Sequence, residues 1–121
     1  MSLSFFDDPG LAPKPRADIR ITAFSLSAYD DRRRLKLDIS LTPFAPADRP
    51  NLEIAALNSN QEVVASLSVI ETMQHTMSFT LHIPAPKLDE NYTVQVQLYY
   101  DEGQIQDMAE EAVLLPPALI H

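Results

Sequence analysis

The amino-acid sequence predicts an all-β fold in which seven strands form two antiparallel sheets packed face to face. Apolar and polar residues alternate along several segments, which is the spacing that sends successive side chains to opposite faces of a strand. Short polar or proline-containing turns separate these segments. The chain has 121 residues, enough for one domain with one hydrophobic core.

The two ends of the chain fall outside this pattern. Residues 1–17 contain three prolines and one glycine, which resist regular backbone hydrogen bonding, so we expect an extended arm or linker there. We assign residues 18–116 to the β-sandwich domain and residues 117–121 to a C-terminal tail.

The first four strands follow in chain order. Residues 19–26 form the first strand, and their apolar phase changes after Ala23, at Phe24, so we expect a β-bulge or a bend near Ala23. Residues 35–41 alternate strictly and form a half-buried second strand. Residues 52–56 and 63–70 flank a turn rich in Asn and Ser, which predicts a hairpin.

The last three strands are predicted at residues 76–83, 92–100 and 104–113. Pro84 ends the first of these, because proline cannot donate to the ladder. The last segment also has apolar residues at helical spacing, so a helix is the alternative there. We favour a strand, because Gly103 suits the left-handed position of a hairpin turn and sheet neighbours override local propensity.

One short motif resembles a known family. The stretch Leu88-Asp-Glu-Asn-Tyr92-Thr-Val94-Gln-Val96 resembles the tyrosine corner that opens the sixth strand of immunoglobulin-like and fibronectin type III-like modules. The resemblance implies an immunoglobulin-like sandwich in which the Tyr92 hydroxyl bonds back to the preceding corner. The chain has no Trp and no Cys, so the buried indole and the inter-sheet disulfide of immunoglobulin domains have no counterpart.

The composition argues against catalysis. Only two glycines and no cysteine are present, which excludes phosphate-cradling loops, nucleophile elbows and thiolate chemistry. His75 and His82 are seven residues apart, so a regular strand points them to opposite faces. We therefore predict a protein that is not an enzyme, with no catalytic residues and no cofactor.

The net charge of −8 argues against nucleic-acid binding. The one basic cluster, Arg32 to Arg34, follows Asp30 and Asp31, which we expect to offset much of its field. No apolar stretch approaches the ~20 residues of a spanning helix, so we expect a soluble, acidic chain without membrane contact. No secretory signal is visible, which indicates a cytoplasmic location if the chain is complete.

Two surfaces are candidates for binding. Alternate turns of a sandwich lie at the same end, and these turns carry possible calcium ligands, namely Asp30, Asp31, Asp89 and Glu90. The competing explanation is that such residues bond locally within turns. Carbohydrate is the other ligand of this alternative, with possible aromatic platforms at Tyr29, Tyr99 and Tyr100.

Surplus apolar residues favour a protein-interaction or assembly module as the first hypothesis. Four of them are out of phase with the core pattern and form a candidate partner surface: Leu57, Val64, Ile70 and Tyr99. The partner is either another protein or a second copy of the chain, as in a homodimer.

Overall fold

The structure is a computed structural model that describes residues 12–87 and 89–115. Within these residues there are seven strands: β1 (Ile21–Ala28), β2 (Arg34–Leu41), β3 (Asn51–Leu57), β4 (Val63–Val69), β5 (Thr76–His82), β6 (Asn91–Tyr99) and β7 (Ile105–Leu114). Short 3₁₀ turns occupy Arg16–Asp18 and Pro46–Asp48. The tail predicted at residues 117–121 lies outside the described residues, as does most of the arm predicted at residues 1–17.

The strands form two antiparallel sheets, and the all-β sandwich predicted from the sequence is confirmed. One sheet has the order β1-β2-β5 and the other has the order β4-β3-β6-β7. Strand β4 therefore pairs with β3 at the edge of the four-stranded sheet, and it does not join the sheet of β1. Strand β3 lies between β4 and β6.

The inner faces of both sheets supply one hydrophobic cluster, because alternate residues of the central strands β2, β3 and β6 are buried. Fully buried members from the two sheets include Leu35, Leu37, Ile39, Leu52, Ile54, Val94, Val96 and Leu98. The residues between these buried ones point to the outer faces of the sheets. The outer faces are therefore free for polar groups or partners.

Two details of the sequence prediction are confirmed at the backbone. The register of β1 against β2 shifts between Ile21 and Ala23, directly before the change of apolar phase. Residues 105–114 form strand β7 and not a helix, and Gly103 in the preceding turn has a φ of 81°.

No helix among the described residues is long and apolar enough to cross a membrane.

Candidate functional site

Three connections meet at one end of the sandwich. The backbone amide and the hydroxyl of Ser59, in the β3–β4 turn, both donate to the Glu90 carboxylate before β6, at 3.1 and 2.6 Å. The Ile83 amide after β5 donates to the Arg33 carbonyl in the β1–β2 turn at 2.8 Å. Backbone and side-chain hydrogen bonds therefore join the first, third and fifth connections.

The Tyr92 hydroxyl completes this end of the molecule. It accepts a hydrogen bond from the Lys87 amide at 3.0 Å and donates to Glu90 at 3.4 Å. The ring is buried, with 2% of the residue exposed. The bond back to the preceding corner has the form that the tyrosine-corner resemblance implies.

The calcium candidates are engaged within the protein or point to water. The Asp31 carboxylate accepts from the amides of Arg33 and Arg34 and from Nε of Arg34, and these bonds lower the pKa of Asp31, the Arg33 amide most. Hydrogen bonds from Ser59 are the main cause of a lowered pKa at Glu90. Asp30 and Asp89 are exposed.

No group of three or more His, Cys, Asp or Glu side chains among the described residues could hold a metal ion. The bonds that occupy Asp31 are the local turn bonds that the competing explanation expects, whereas Glu90 is occupied by Ser59 of another connection. Among the described residues, the four calcium candidates therefore do not come together as a cation site.

Two of the three aromatic candidates are also engaged. The Arg34 guanidinium lies over the Tyr29 ring, 4.3 Å from its centroid. Tyr100 donates to the Asp48 carbonyl at 2.7 Å, and Arg16 lies 4.6 Å from its ring centroid. Burial raises the pKa of Tyr100. Both rings serve intramolecular contacts, which leaves Tyr99 on the outer face of the four-stranded sheet.

The outer face of this sheet carries an apolar corner, which we define as Ile70, Tyr99, Ile105 and Met108. Tyr99 pairs across the strands with Ile105 on one side and with Asn51 on the other, and Met108 faces the neighbouring Gln97. The Asn51 side chain accepts from the Glu71 amide at 2.8 Å, which holds Ile70 at the end of the same row. Ile70 is 65% exposed and Ile105 is 55% exposed.

The surroundings of the apolar corner are acidic. None of the strands β3, β4, β6 and β7 contains Lys or Arg. Glu53 and Glu110 share the outer face with the corner, whereas Asp107 and Glu111 pair with the buried Leu98 and Val94 and face the other way. A hollow of about 280 Å³ lies beside Tyr99 and Ile105, and Glu53 and Glu102 are part of its wall. The corner is thus an apolar patch with carboxylates and no cation around it on its own sheet.

The predicted partner residues do not form one surface. Ile70 and Tyr99 share the row described above. Leu57 is half-buried at the other end of the sheet, paired with Val63 and Thr93. Val64 packs against the core cluster, because a register shift between Ala56 and Leu57 turns it inward, and its assignment to a surface is corrected.

No family model and no curated protein matches the chain. Its fold is similar to part of several solved glycosidase structures. The Bifidobacterium dentium β-glucuronidase, complexed with coumarin-3-O-glucuronide, has a TM-score of 0.62 and 15% identity over 81% of this chain. A glycosyl hydrolase family 2 member from Bacteroides cellulosilyticus has a TM-score of 0.54 and 14% identity over 80% of this chain.

The β-glucuronidase from Ruminococcus gnavus, in complex with N1-substituted uronic isofagomine, has a TM-score of 0.57 and 12% identity over 81% of the chain. The chain spans 18%, 15% and 16% of these three structures, in the order given. At such identities the likeness shows the fold alone.

Ile105 and Met108 belong to the apolar corner but were not among the predicted partner residues. A strand was favoured for their segment, but their helical spacing with Ala109 and Ala112 left a helix as the alternative, so neither residue was assigned to a face of the sheet. In strand β7 the same residues fall on the outer face, opposite Tyr99 and Gln97. The pairing of β6 with β7, which depends on tertiary structure, was the missing signal.

Proposed function

We propose that the chain is a non-catalytic, immunoglobulin-like module that binds a protein partner through the apolar corner. The observation that carries the proposal is the exposure of Ile70 and Ile105 beside Tyr99 on a sheet that has no basic residue. Aromatic and aliphatic side chains of this kind are the usual centre of a protein interface.

The charge around the corner indicates what kind of partner it fits. Carboxylates of Glu53 and Glu102 flank the corner, and Glu110 lies in the next row of the same face. A second copy would bring the same charges together on a chain of net charge −8. The favoured partner therefore has an apolar patch with Lys or Arg at its rim.

The fold likeness supports an accessory role. The chain covers 18% of the B. dentium β-glucuronidase, so a unit of this fold makes up one part of that longer enzyme. The bond from the Lys87 amide to the Tyr92 hydroxyl supports the immunoglobulin-like assignment.

The test selects peptides from an unbiased library for binding to the full chain and measures their affinity by surface plasmon resonance. We expect the selected peptides to combine apolar residues with Lys or Arg. Ile105→Ser weakens their binding at least about tenfold, since it removes an exposed anchor. The matched control is Val63→Ser, which removes an equally exposed apolar group, 61% exposed, from the far end of the same sheet.

Three results would contradict the proposal: acidic peptides are selected, Ile105→Ser binds as well as the wild type, or Val63→Ser loses as much. Light scattering measures the molar mass and so tests whether the partner is a second copy. If the wild type is a dimer and Ile105→Ser is a monomer, the corner mediates self-association and not the binding of a basic partner.

Carbohydrate is the second candidate, because the hollow beside Tyr99 also has Gln97, Glu53 and Gln104 in its wall. An aromatic ring with amides and carboxylates around it suits a sugar ring and its hydroxyls. On a glycan array, binding that Tyr99→Ala abolishes and Ile70→Ser retains would favour this candidate over the protein partner.

A further inference from the structure

A second hollow lies at the end of the sandwich where the connections meet. Its volume is about 320 Å³, and it lies between the β1–β2 turn and the segment after β5. Its wall consists of Asp31, Arg32, Arg33, Ala85 and Pro86, which we call the arginine hollow. It is a separate feature from the apolar corner, which lies beside the β6–β7 turn.

The sequence suggested that acidic residues would offset the arginines here, but in the structure Asp31 forms an ion pair with the side chain of Arg34 alone and bonds to Arg33 only through its backbone amide. The Asp31 carboxylate accepts from Nε of Arg34 at 2.6 Å. The ion pairs among the described residues are this one, Arg16 with Asp48 and Lys36 with Asp38. In that part of the chain Arg32 and Arg33 thus have no carboxylate partner, on a protein whose net charge is −8.

The backbone around the hollow is held in an uncommon conformation. Arg32 and Ala85 have φ values of 58° and 46°, in the left-handed region that non-glycine residues rarely adopt. The Arg32 amide donates to the Tyr29 carbonyl at 3.0 Å, and the Arg33 carbonyl accepts from Ile83 at 2.8 Å. These bonds fix both walls, and left-handed residues of this kind often occur at binding sites.

We propose that the arginine hollow binds an oxyanion, either a phosphate or a carboxylate group, between the guanidinium groups of Arg32 and Arg33. A guanidinium presents its N–H donors in a planar fork that matches the two oxygens of such a group. Asp31 does not oppose the ligand strongly, because the guanidinium of Arg34 offsets its charge and two backbone amides already occupy its other oxygen. The adjacent Ala85 and Pro86 provide an apolar wall without a competing charge.

The test adds inorganic phosphate or citrate to the full chain at low ionic strength, where screening is weak. Arginine Nε–H signals are followed by nuclear magnetic resonance. We expect saturable shifts at Arg32 and Arg33 with at least one probe and none at Arg49, which lies elsewhere and donates to the Pro46 carbonyl. The two probes separate a phosphate ligand from a carboxylate ligand.

Variants test the contribution of each side chain. Arg33→Gln lowers the affinity about tenfold, because it removes a charge-assisted contact while the backbone bonds of residue 33 remain. Arg32→Asn lowers it similarly and raises the melting temperature, since asparagine tolerates the left-handed conformation. The matched control, Lys36→Gln, removes one positive charge from the outer face of β2 and leaves the affinity unchanged.

The proposal is overturned if neither probe gives a saturable shift, if Arg49 shifts as much as Arg33, or if Lys36→Gln weakens binding as much as Arg33→Gln. The direct observation of the wild-type arginine signals decides the question even if a variant fails to fold.

Discussion

At the scale of single residues, Tyr92 shows how one hydroxyl organises an end of the sandwich. Its ring belongs to the core, and its oxygen lies among the groups that join two connections. The Lys87 amide has no other acceptor among the described hydrogen bonds. The Tyr92 oxygen therefore satisfies a backbone donor that would otherwise be partly buried without a partner.

We expect Tyr92→Phe to destabilise the fold by about 1–3 kcal/mol, because the Lys87 amide loses its acceptor while the ring keeps its packing. Urea denaturation followed by circular dichroism measures the change. Tyr99→Phe is the matched control, since the Tyr99 hydroxyl makes none of the described hydrogen bonds, and it should alter stability by less than about 0.5 kcal/mol. Equal effects of the two substitutions would show that the corner bond does not stabilise the fold.

At the scale of elements, the strands were predictable wherever one face is buried. In β2 and β6 alternate positions are buried without exception, so the sequence pattern and the structure coincide. Strand β7 was harder to predict, because its residues have helical spacing. Its pairing with β6 overrides that propensity, since nine residues of β6 have partners in β7.

Part of the candidate site was also predictable, namely Ile70 and Tyr99, which are out of phase with the buried residues of their segments. The remaining features depend on contacts between distant segments. The inward turn of Val64 follows from a register shift, and the position of Arg16 over Tyr100 joins residues far apart in the chain. Local periodicity carries no information on either.

The hydrogen bonds from Ser59 to Glu90 join two connections and should make the stability of the fold depend on pH. Hydrogen bonds from Ser59 lower the pKa of Glu90 from its usual value of 4.5 in the folded state. A lowered folded pKa contributes stability above pH 4.5, and that contribution is lost as the pH falls through the folded pKa. We therefore expect Glu90→Gln to reduce the loss of stability below about pH 4.5 in urea unfolding.

Two variants control this expectation. Ser59→Ala removes the hydroxyl donor and keeps the backbone amide donor, so it should flatten the acid dependence in the same direction but by less. Glu102→Gln removes an equal charge from an exposed turn residue that makes none of the described hydrogen bonds, and it separates a local effect from one of net charge. If the free energy of unfolding falls equally with pH in Glu90→Gln and in the wild type, the bond between Ser59 and Glu90 is not the source of the acid dependence.

At the scale of the whole molecule, one core joins two sheets whose outer faces differ. The four-stranded sheet has no basic residue and carries the apolar corner, whereas β2 of the other sheet contains Arg34 and Lys36. The two proposed surfaces therefore occupy different parts of the sandwich and have opposite charge preferences. Both depend on the shared core, because neither sheet buries its inner face alone.

This dependence means that damage to one sheet should unfold both. Leu37 on β2 is fully buried, and Leu37→Ala should cost about 2–5 kcal/mol. Three of the four tyrosines, Tyr92, Tyr99 and Tyr100, lie on or directly after β6, so tyrosine fluorescence mainly reports the four-stranded sheet. Circular dichroism reports the strands of both sheets.

If the sandwich is one cooperative unit, the two signals change at the same urea concentration in the wild type and in Leu37→Ala. Lys36→Ala, next to Leu37 but exposed, should leave that concentration nearly unchanged. Fluorescence that stays native in Leu37→Ala after the circular dichroism signal has begun to fall would show that the four-stranded sheet is stable without its partner. The apolar corner would then not require the second sheet in order to bind.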